Sequence, residues 1–199
     1  CITVLGPSQS GKTELVRQLA ALDGKPPRTE NAGHLSLTRF TFMDEDWCAV
    51  DMSGGPEFAR MAGAPLLASD AAVLCVSPDP AEAALAAPWL RAIEEAGTPC
   101  MIFINRMDTP KGRVRDIVAA LQAYTNHAIV LRQIPIREDG QVVGAIDLIS
   151  ERAWRYREGQ PSTLVAMPKA EADREHEARA ELLEHMSDFD DALLEELIE

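Results

Sequence analysis

The chain has 199 residues, of which 46% are hydrophobic, and a formal net charge of −13. That length fits one domain, or one with an attached subdomain, and the apolar share is enough for a sizeable core. No apolar run reaches membrane-spanning length and no signal peptide is visible, so no membrane contact is expected and the expected location is cytoplasmic. The start at Cys1 without methionine suggests a trimmed or partial chain.

Residues 2–5 read as a short buried strand and residues 13–20 as a helix. Between them, Gly6-Pro7-Ser8-Gln9-Ser10-Gly11-Lys12-Thr13 matches the phosphate-loop pattern G-x-x-x-x-G-K-[ST] in full. Gly6 and Gly11 permit backbone conformations that a side chain forbids, so the N–H groups from Gly6 through Ser8, Gln9, Ser10 and Gly11 can turn inward on anionic oxygens. The helix adds its positive end. Lys12 would reach the β- and γ-phosphates of a nucleotide, and the Thr13 hydroxyl would ligate Mg²⁺.

A stop at Asp23-Gly24 opens a loop running to about Gly33. Residues 35–42 and 47–51 look like an antiparallel pair joined by an acidic turn, Asp44-Glu45-Asp46. Asp51-Met52-Ser53-Gly54 follows, a D-x-x-G at a suitable distance from the loop. Asp51 could hold Mg²⁺ through water, and the Gly54 N–H could approach a γ-phosphate, placing Gly54 with Lys12 and Thr13 in the hydrolytic machinery. Residues 56–67 read as a helix interrupted around Gly63 and Pro65. The continuous apolar run 71–76 suits a strand covered on both faces. Asp79-Pro80-Ala81-Glu82 reads as the start of a helix reaching Ala96, with Pro88 as a kink or restart.

Residues 100–104 form the next buried strand, ending in Asn105-Arg106-Met107-Asp108, close to the guanine-reading pattern N-K-x-D. The Asp108 carboxylate can accept from guanine N1–H and the exocyclic amine, a donor pair that adenine lacks, which disfavours an ATP-using enzyme. Arg106 stands where lysine usually lays its stem over the base. A helix over 111–124 completes an alternation that predicts a phosphate-loop α/β fold with a doubly wound, mostly parallel sheet. Three ordered motifs at 6–13, 51–54 and 105–108 together point to a GTP-binding domain.

The second half reads differently. Residues 128–136 and 141–149 look like strands joined near Asp139-Gly140, residues 153–156 could add a third, and 159–162 form a loop. Helices are expected over 168–185 and 189–198, their apolar stripe carried by Leu182, Leu183 and Met186, then Leu193, Leu194, Leu197 and Ile198. Residues 168–199 hold 12 acidic and 3 basic residues, a net of −9, which reads as a solvated face and offers no grip on nucleic acid. The expected organisation is a nucleotide-binding core over 1–125 and an inserted small α/β subdomain with acidic C-terminal helices over 126–199, incomplete at its C-terminal end. Cys1, Cys48, Cys75 and Cys100 lack metal-ligand spacing, and the last three are expected to be buried free thiols.

The motifs, with Ile134-Pro135-Ile136, Val143-Gly144-Ala145-Ile146-Asp147-Leu148, Ala153-Trp154-Arg155-Tyr156 and Asp190-Asp191 before Leu193-Leu194-Glu195, resemble the GTP-binding domain and inserted subdomain of elongation factor G. The similarity covers nearly the whole chain in the right order. It implies a translational GTPase that binds GTP or GDP with Mg²⁺ and serves as a ribosome-linked switch. It also exposes departures. Gly55 stands where the family has a histidine that positions the attacking water. The stretch from Thr13 to Asp51 is short for the family's first switch, with Gly33 near the position of its Mg²⁺-closing threonine and only Thr29, Thr38 and Thr41 as stand-ins. The family's last nucleotide loop has no counterpart before Glu199. Two expectations follow: a GTPase with weakened hydrolysis, or a non-catalytic module for which GTP or GDP is a structural or regulatory ligand.

Overall fold

A computed structural model describes residues 1–22, 24–109, 111–157 and 160–187. The described chain divides into two compact units, residues 1–126 and residues 127–199.

In the first unit, β1 (Ile2–Leu5) leads through the glycine-rich loop into α1 (Lys12–Ala21), then β2 (Arg28–Ala32), β3 (Leu35–Phe42) and β4 (Glu45–Met52). Two short helices follow, α2 (Pro56–Ala59) and α3 (Gly63–Leu67), then β5 (Ala71–Val76), a 3₁₀ segment over Pro80–Ala86, α4 (Ala87–Ala96), β6 (Cys100–Ile104) and α5 (Val114–Gln122). The six strands form one sheet in the order β2-β3-β4-β1-β5-β6. β1 pairs in parallel with β4 and β5, and β5 with β6, whereas β2–β3 and β3–β4 are antiparallel. The sheet is therefore mixed, where the alternation alone predicted a mostly parallel one.

The additional antiparallel pairing comes from β2, a stretch expected as loop. All five of its residues are exposed and its sequence, RTENA, has no apolar period to announce a strand. It is held by the backbone ladder, by an Arg39–Glu30 ion pair at 2.8 Å and by a Thr29–Thr38 hydroxyl contact at 3.1 Å. The β3–β4 turn is made by Met43 and Asp44, both at positive φ, so the expected acidic turn is displaced and Glu45 and Asp46 already belong to β4.

Helices meet their signals more loosely. Asp79 caps the 3₁₀ segment by accepting from the Ala81 N–H at 3.0 Å, and the α-helical hydrogen bonding begins only at Ala87, beside Pro88. α4 ends at Gly97 in the left-handed conformation, as a C-terminal glycine does, and buries Trp89, Leu90 and Ile93. The expected helix over 56–67 is broken at 60–62, before rather than at Gly63. Val4, Val16, Ala20, Phe40 and Ala49 form a core beneath α1. β6 lies at the sheet's edge with no fully buried residue, so Cys100 is exposed; Cys48, on β4, is half-buried, and of the three thiols expected inside only Cys75 is buried.

The second unit is a four-stranded antiparallel sheet in the order β10-β9-β8-β7, with β7 (Gln133–Glu138), β8 (Gln141–Asp147), β9 (Arg152–Arg157) and β10 (Gln160–Val165). The Asp139-Gly140 turn has positive φ at both residues, as its sequence demands. β7 starts at Gln133 rather than 128, and β10 replaces an expected loop. A 3₁₀ turn over Lys169–Glu171 leads into α6 (Ala172–Ser187), whose Ala178 and Leu182 close a core with Ile134, Ile136, Ile146, Leu148 and Ala153. The helix expected over 189–198, with Asp190 and Asp191, lies outside the described residues, as do Asp23 and Gly159.

Candidate functional site

The loop from Gly6 to Gly11, the D-x-x-G segment and the N-R-x-D segment follow β1, β4 and β6, which run parallel, so all three emerge at one edge of the sheet. In such sheets ligands bind at the carboxyl ends of the strands.

Gly6 is required by a close backbone approach and Gly11 by its left-handed backbone. At Gly6, φ 135°, a Cβ would lie 2.3 Å from the carbonyl oxygen of Cys75 on neighbouring β5. At Gly11, φ 95°, a Cβ would lie 2.1 Å from the Asn105 amide nitrogen. That nitrogen donates to the Ser10 carbonyl at 2.9 Å, and the buried Cys75 thiol donates to the same oxygen at 3.1 Å. The loop is thus fastened from below by β5 and from the side by the end of β6. Gln9 also sits at positive φ.

Lys12 is the first residue of α1 and only 6% exposed. Its ammonium donates to the Pro7 carbonyl at 2.7 Å, folding back across the loop. Burial pushes the Lys12 ammonium below its ordinary value, while Asp51 and Cys75 push it back up. Burial raises the Asp51 carboxyl, opposed by a hydrogen bond from Thr13 and by the charge of Lys12. The Thr13 hydroxyl donates to Asp51 Oδ2 at 2.5 Å, and Asp51 Oδ1 is buried with no partner among the described residues. A buried carboxylate oxygen without a partner is costly unless something else satisfies it.

Gly54 packs directly on this group. A Cβ there would lie 2.5 Å from the Ser8 nitrogen, 2.6 Å from Lys12 Nζ and 2.7 Å from the Pro7 carbonyl carbon. Beyond it, the Glu57 side chain of α2 folds back over Gly55, with its carboxylate oxygens 2.4 and 2.6 Å from where a Gly55 Cβ would be. The turn between β2 and β3 reaches the same place. The His34 carbonyl accepts from the Ser53 N–H at 3.0 Å, and the His34 ring stacks on Phe58, centroids 5.4 Å apart and 10° from parallel.

Gly6, Ser8, Gln9, Ser10, Gly11, Lys12, Thr13, Asp51, Gly54 and Asn105 thus come together. Arg106, at φ 56°, and Asp108 lie on the exposed turn that follows, with the Asn105 side chain accepting from the Arg106 N–H at 2.8 Å. A cleft of about 250 Å³ opens between Arg106, the loop and the 3₁₀ segment. The threonines expected as stand-ins do not join. Thr38 is buried against Thr29, and Thr41 pairs with Asp46 near the far turn of its hairpin. Ser36 is the register partner of Asp51, and Asn31 that of Ser36. Ser36, His34, Glu57 and Cys75 escaped sequence reasoning. Only Glu57 carried a signal, an acid in the first turn of a helix just after D-x-x-G.

These features define an α/β protein with a glycine-rich strand-to-helix loop beside a buried lysine and a buried aspartate. No protein-family model matches the chain. Its whole length aligns at 29% identity with the elongation factor G-like protein of Synechocystis sp., covering 32% of that protein. About half aligns with elongation factor G 1 of Geobacter sulfurreducens (31% identity, 56% of this chain and 16% of that protein) and with mitochondrial elongation factor G of Drosophila grimshawi (30%, 55% and 15%). A crystal structure of a Thermus thermophilus protein superposes on 99% of the chain with a TM-score of 0.77 at 25% identity, covering 32% of that structure. The chain is similar to elongation factor G and to an elongation factor G-like protein, and it spans about a third or less of the length of these relatives.

Proposed function

We propose that the chain is the guanine-nucleotide-binding part of an elongation-factor-G-like translational GTPase, a cytoplasmic, ribosome-linked switch binding GTP and GDP with Mg²⁺. The observation that carries this reading is the convergence of Lys12, Thr13, Asp51 and Gly54 on one glycine-rich loop. Lys12 supplies a buried positive charge for the β- and γ-phosphates. Asn105 braces the loop from the segment whose Asp108 would read guanine. The Thr13 hydroxyl and the unpartnered Asp51 Oδ1 are hard oxygen donors and fit Mg²⁺, which takes one or two protein oxygens and completes its shell with phosphate and water. Bound Mg²⁺ would supply charge neutralisation at the terminal phosphates. No cluster of three or more His, Cys, Asp or Glu suited to another metal occurs among the described residues, and none of their helices is long and apolar enough to cross a membrane.

Titration of the chain with a fluorescent GDP analogue tests this. We expect Mg²⁺-enhanced, saturable binding displaced by GTP and not by ATP; equal displacement by ATP, or no binding, would refute it. A second reading, a non-catalytic nucleotide-dependent module, is favoured by Gly55 and by the strand-bound Thr29 and Thr38. Steady-state GTP turnover separates the two.

A further inference from the structure

The γ-phosphate end of the proposed site is fixed by Lys12 and Gly54, where a Cβ would lie 2.6 Å from the ammonium nitrogen. The next residue, Gly55, has no side chain, yet the space a side chain would enter is filled. Both carboxylate oxygens and Cδ of Glu57 lie within 2.6 Å of the Gly55 Cβ position. Glu57 is exposed, so its carboxylate takes this place without being sealed into the core. Its helix, α2, is held beside the site by the His34–Phe58 stack on one side and by the Ser53-to-His34 hydrogen bond just before it.

We infer that Glu57 is a catalytic residue that orients the attacking water, acting across Gly55 from two positions further along the chain. This rests on the GTPase reading above. The reaction it serves is in-line hydrolysis of the γ-phosphoryl group. The water oxygen forms a bond to γ-phosphorus. The bond from phosphorus to the β–γ bridging oxygen breaks, leaving its electron pair on GDP. The water's proton passes through the Glu57 carboxylate to solvent. A carboxylate can accept hydrogen bonds from water, which aligns the lone pair for attack. Its negative charge also repels the γ-phosphate, so Glu57 favours GDP over GTP in the ground state. Gly55 is what makes room: any side chain there would displace the carboxylate.

The test uses the 199-residue chain and three variants, Glu57→Gln, Gly55→His and the two combined. Binding of a fluorescent GDP analogue should be unchanged in Glu57→Gln. A non-hydrolysable GTP analogue should bind several-fold tighter, because the like charge is gone. The rate constant of single-turnover GTP hydrolysis at saturating chain should fall about a hundredfold, although GTP binds more tightly. The combined variant should recover part of that loss, since histidine can accept from the same water. Glu57→Gln with normal GDP binding but unaltered hydrolysis and unaltered analogue affinity overturns the inference, as does a parent chain that binds GDP and hydrolyses no GTP. If the parent binds neither nucleotide, the GTPase reading itself fails and the inference falls with it.

Discussion

At the scale of single residues, two adjacent glycines separate constraint from permission. A Gly54 Cβ would strike the Ser8 backbone nitrogen and the Pro7 carbonyl carbon, neither of which can yield without moving the loop. The three atoms nearest a Gly55 Cβ all lie at the far end of the flexible Glu57 side chain, which can give way. Gly54→Ala should therefore weaken nucleotide binding by about tenfold or more, roughly the 1.4 kcal/mol within reach of an overpacked contact. Gly55→Ala should leave it within about twofold. Titration with a fluorescent GDP analogue reads both, and equal losses would show that the loop does not bear on Gly54 as described. The residues of this site were legible to very different degrees. Gly6, Lys12, Thr13 and Asn105 could be placed because their spacing encodes their geometry. Ser36, Cys75 and Glu57 could not, because what brings them to the site is strand register and a side chain folding back on its own helix, and neither leaves a periodic trace.

At the scale of elements, the ends of β8 and β2 show how polar groups fix structure that hydrophobic pattern does not. Asp147 closes β8. Burial pushes its carboxyl up, but an ion pair with Arg132 at 2.5 Å and hydrogen bonds from the Ser150 N–H and hydroxyl outweigh this and hold it at about 2, below the ordinary 3.8. A carboxyl depressed in the folded state adds stability that is present above its unfolded value and lost as pH falls through its folded one. Asp147→Asn should thus unprotect the amides of β7 to β9 in hydrogen exchange at pH 6. The difference from the parent should shrink steadily as pH falls from 4 toward about 2. A gap that stays constant over that interval would assign the effect to packing instead. The Asp139-Gly140 hairpin beside it was readable because its turn demands positive φ. β2 was not, because an exposed polar edge strand is chosen by its neighbour β3 and not by its own sequence.

At the scale of the whole molecule, every candidate site residue from Gly6 to Asp108 belongs to the unit spanning 1–126, and the unit beginning at 127 has its own core. The change of character midway was visible in the sequence, since alternating strands and helices give way to hairpin signals and then to acidic helix. The antiparallel β3–β4 pair was visible too, but the further antiparallel strand β2 was not, for its place depends on the neighbour it finds. Separate cores predict separable energetics. Leu182, 5% exposed, packs from α6 into the Ile134, Ile146 and Leu148 cluster. Leu182→Ala removes buried methyl groups and leaves a cavity, which should cost about 2–5 kcal/mol. Amides of β7 to β10 should lose protection accordingly, while affinity for a fluorescent GDP analogue stays within about twofold of the parent. Saturating GDP should in turn slow exchange around the glycine-rich loop, because a ligand stabilises only the state that binds it. If Leu182→Ala instead abolishes GDP binding, the two cores are one cooperative system, and the second half of the chain contributes to the nucleotide site as well as following it.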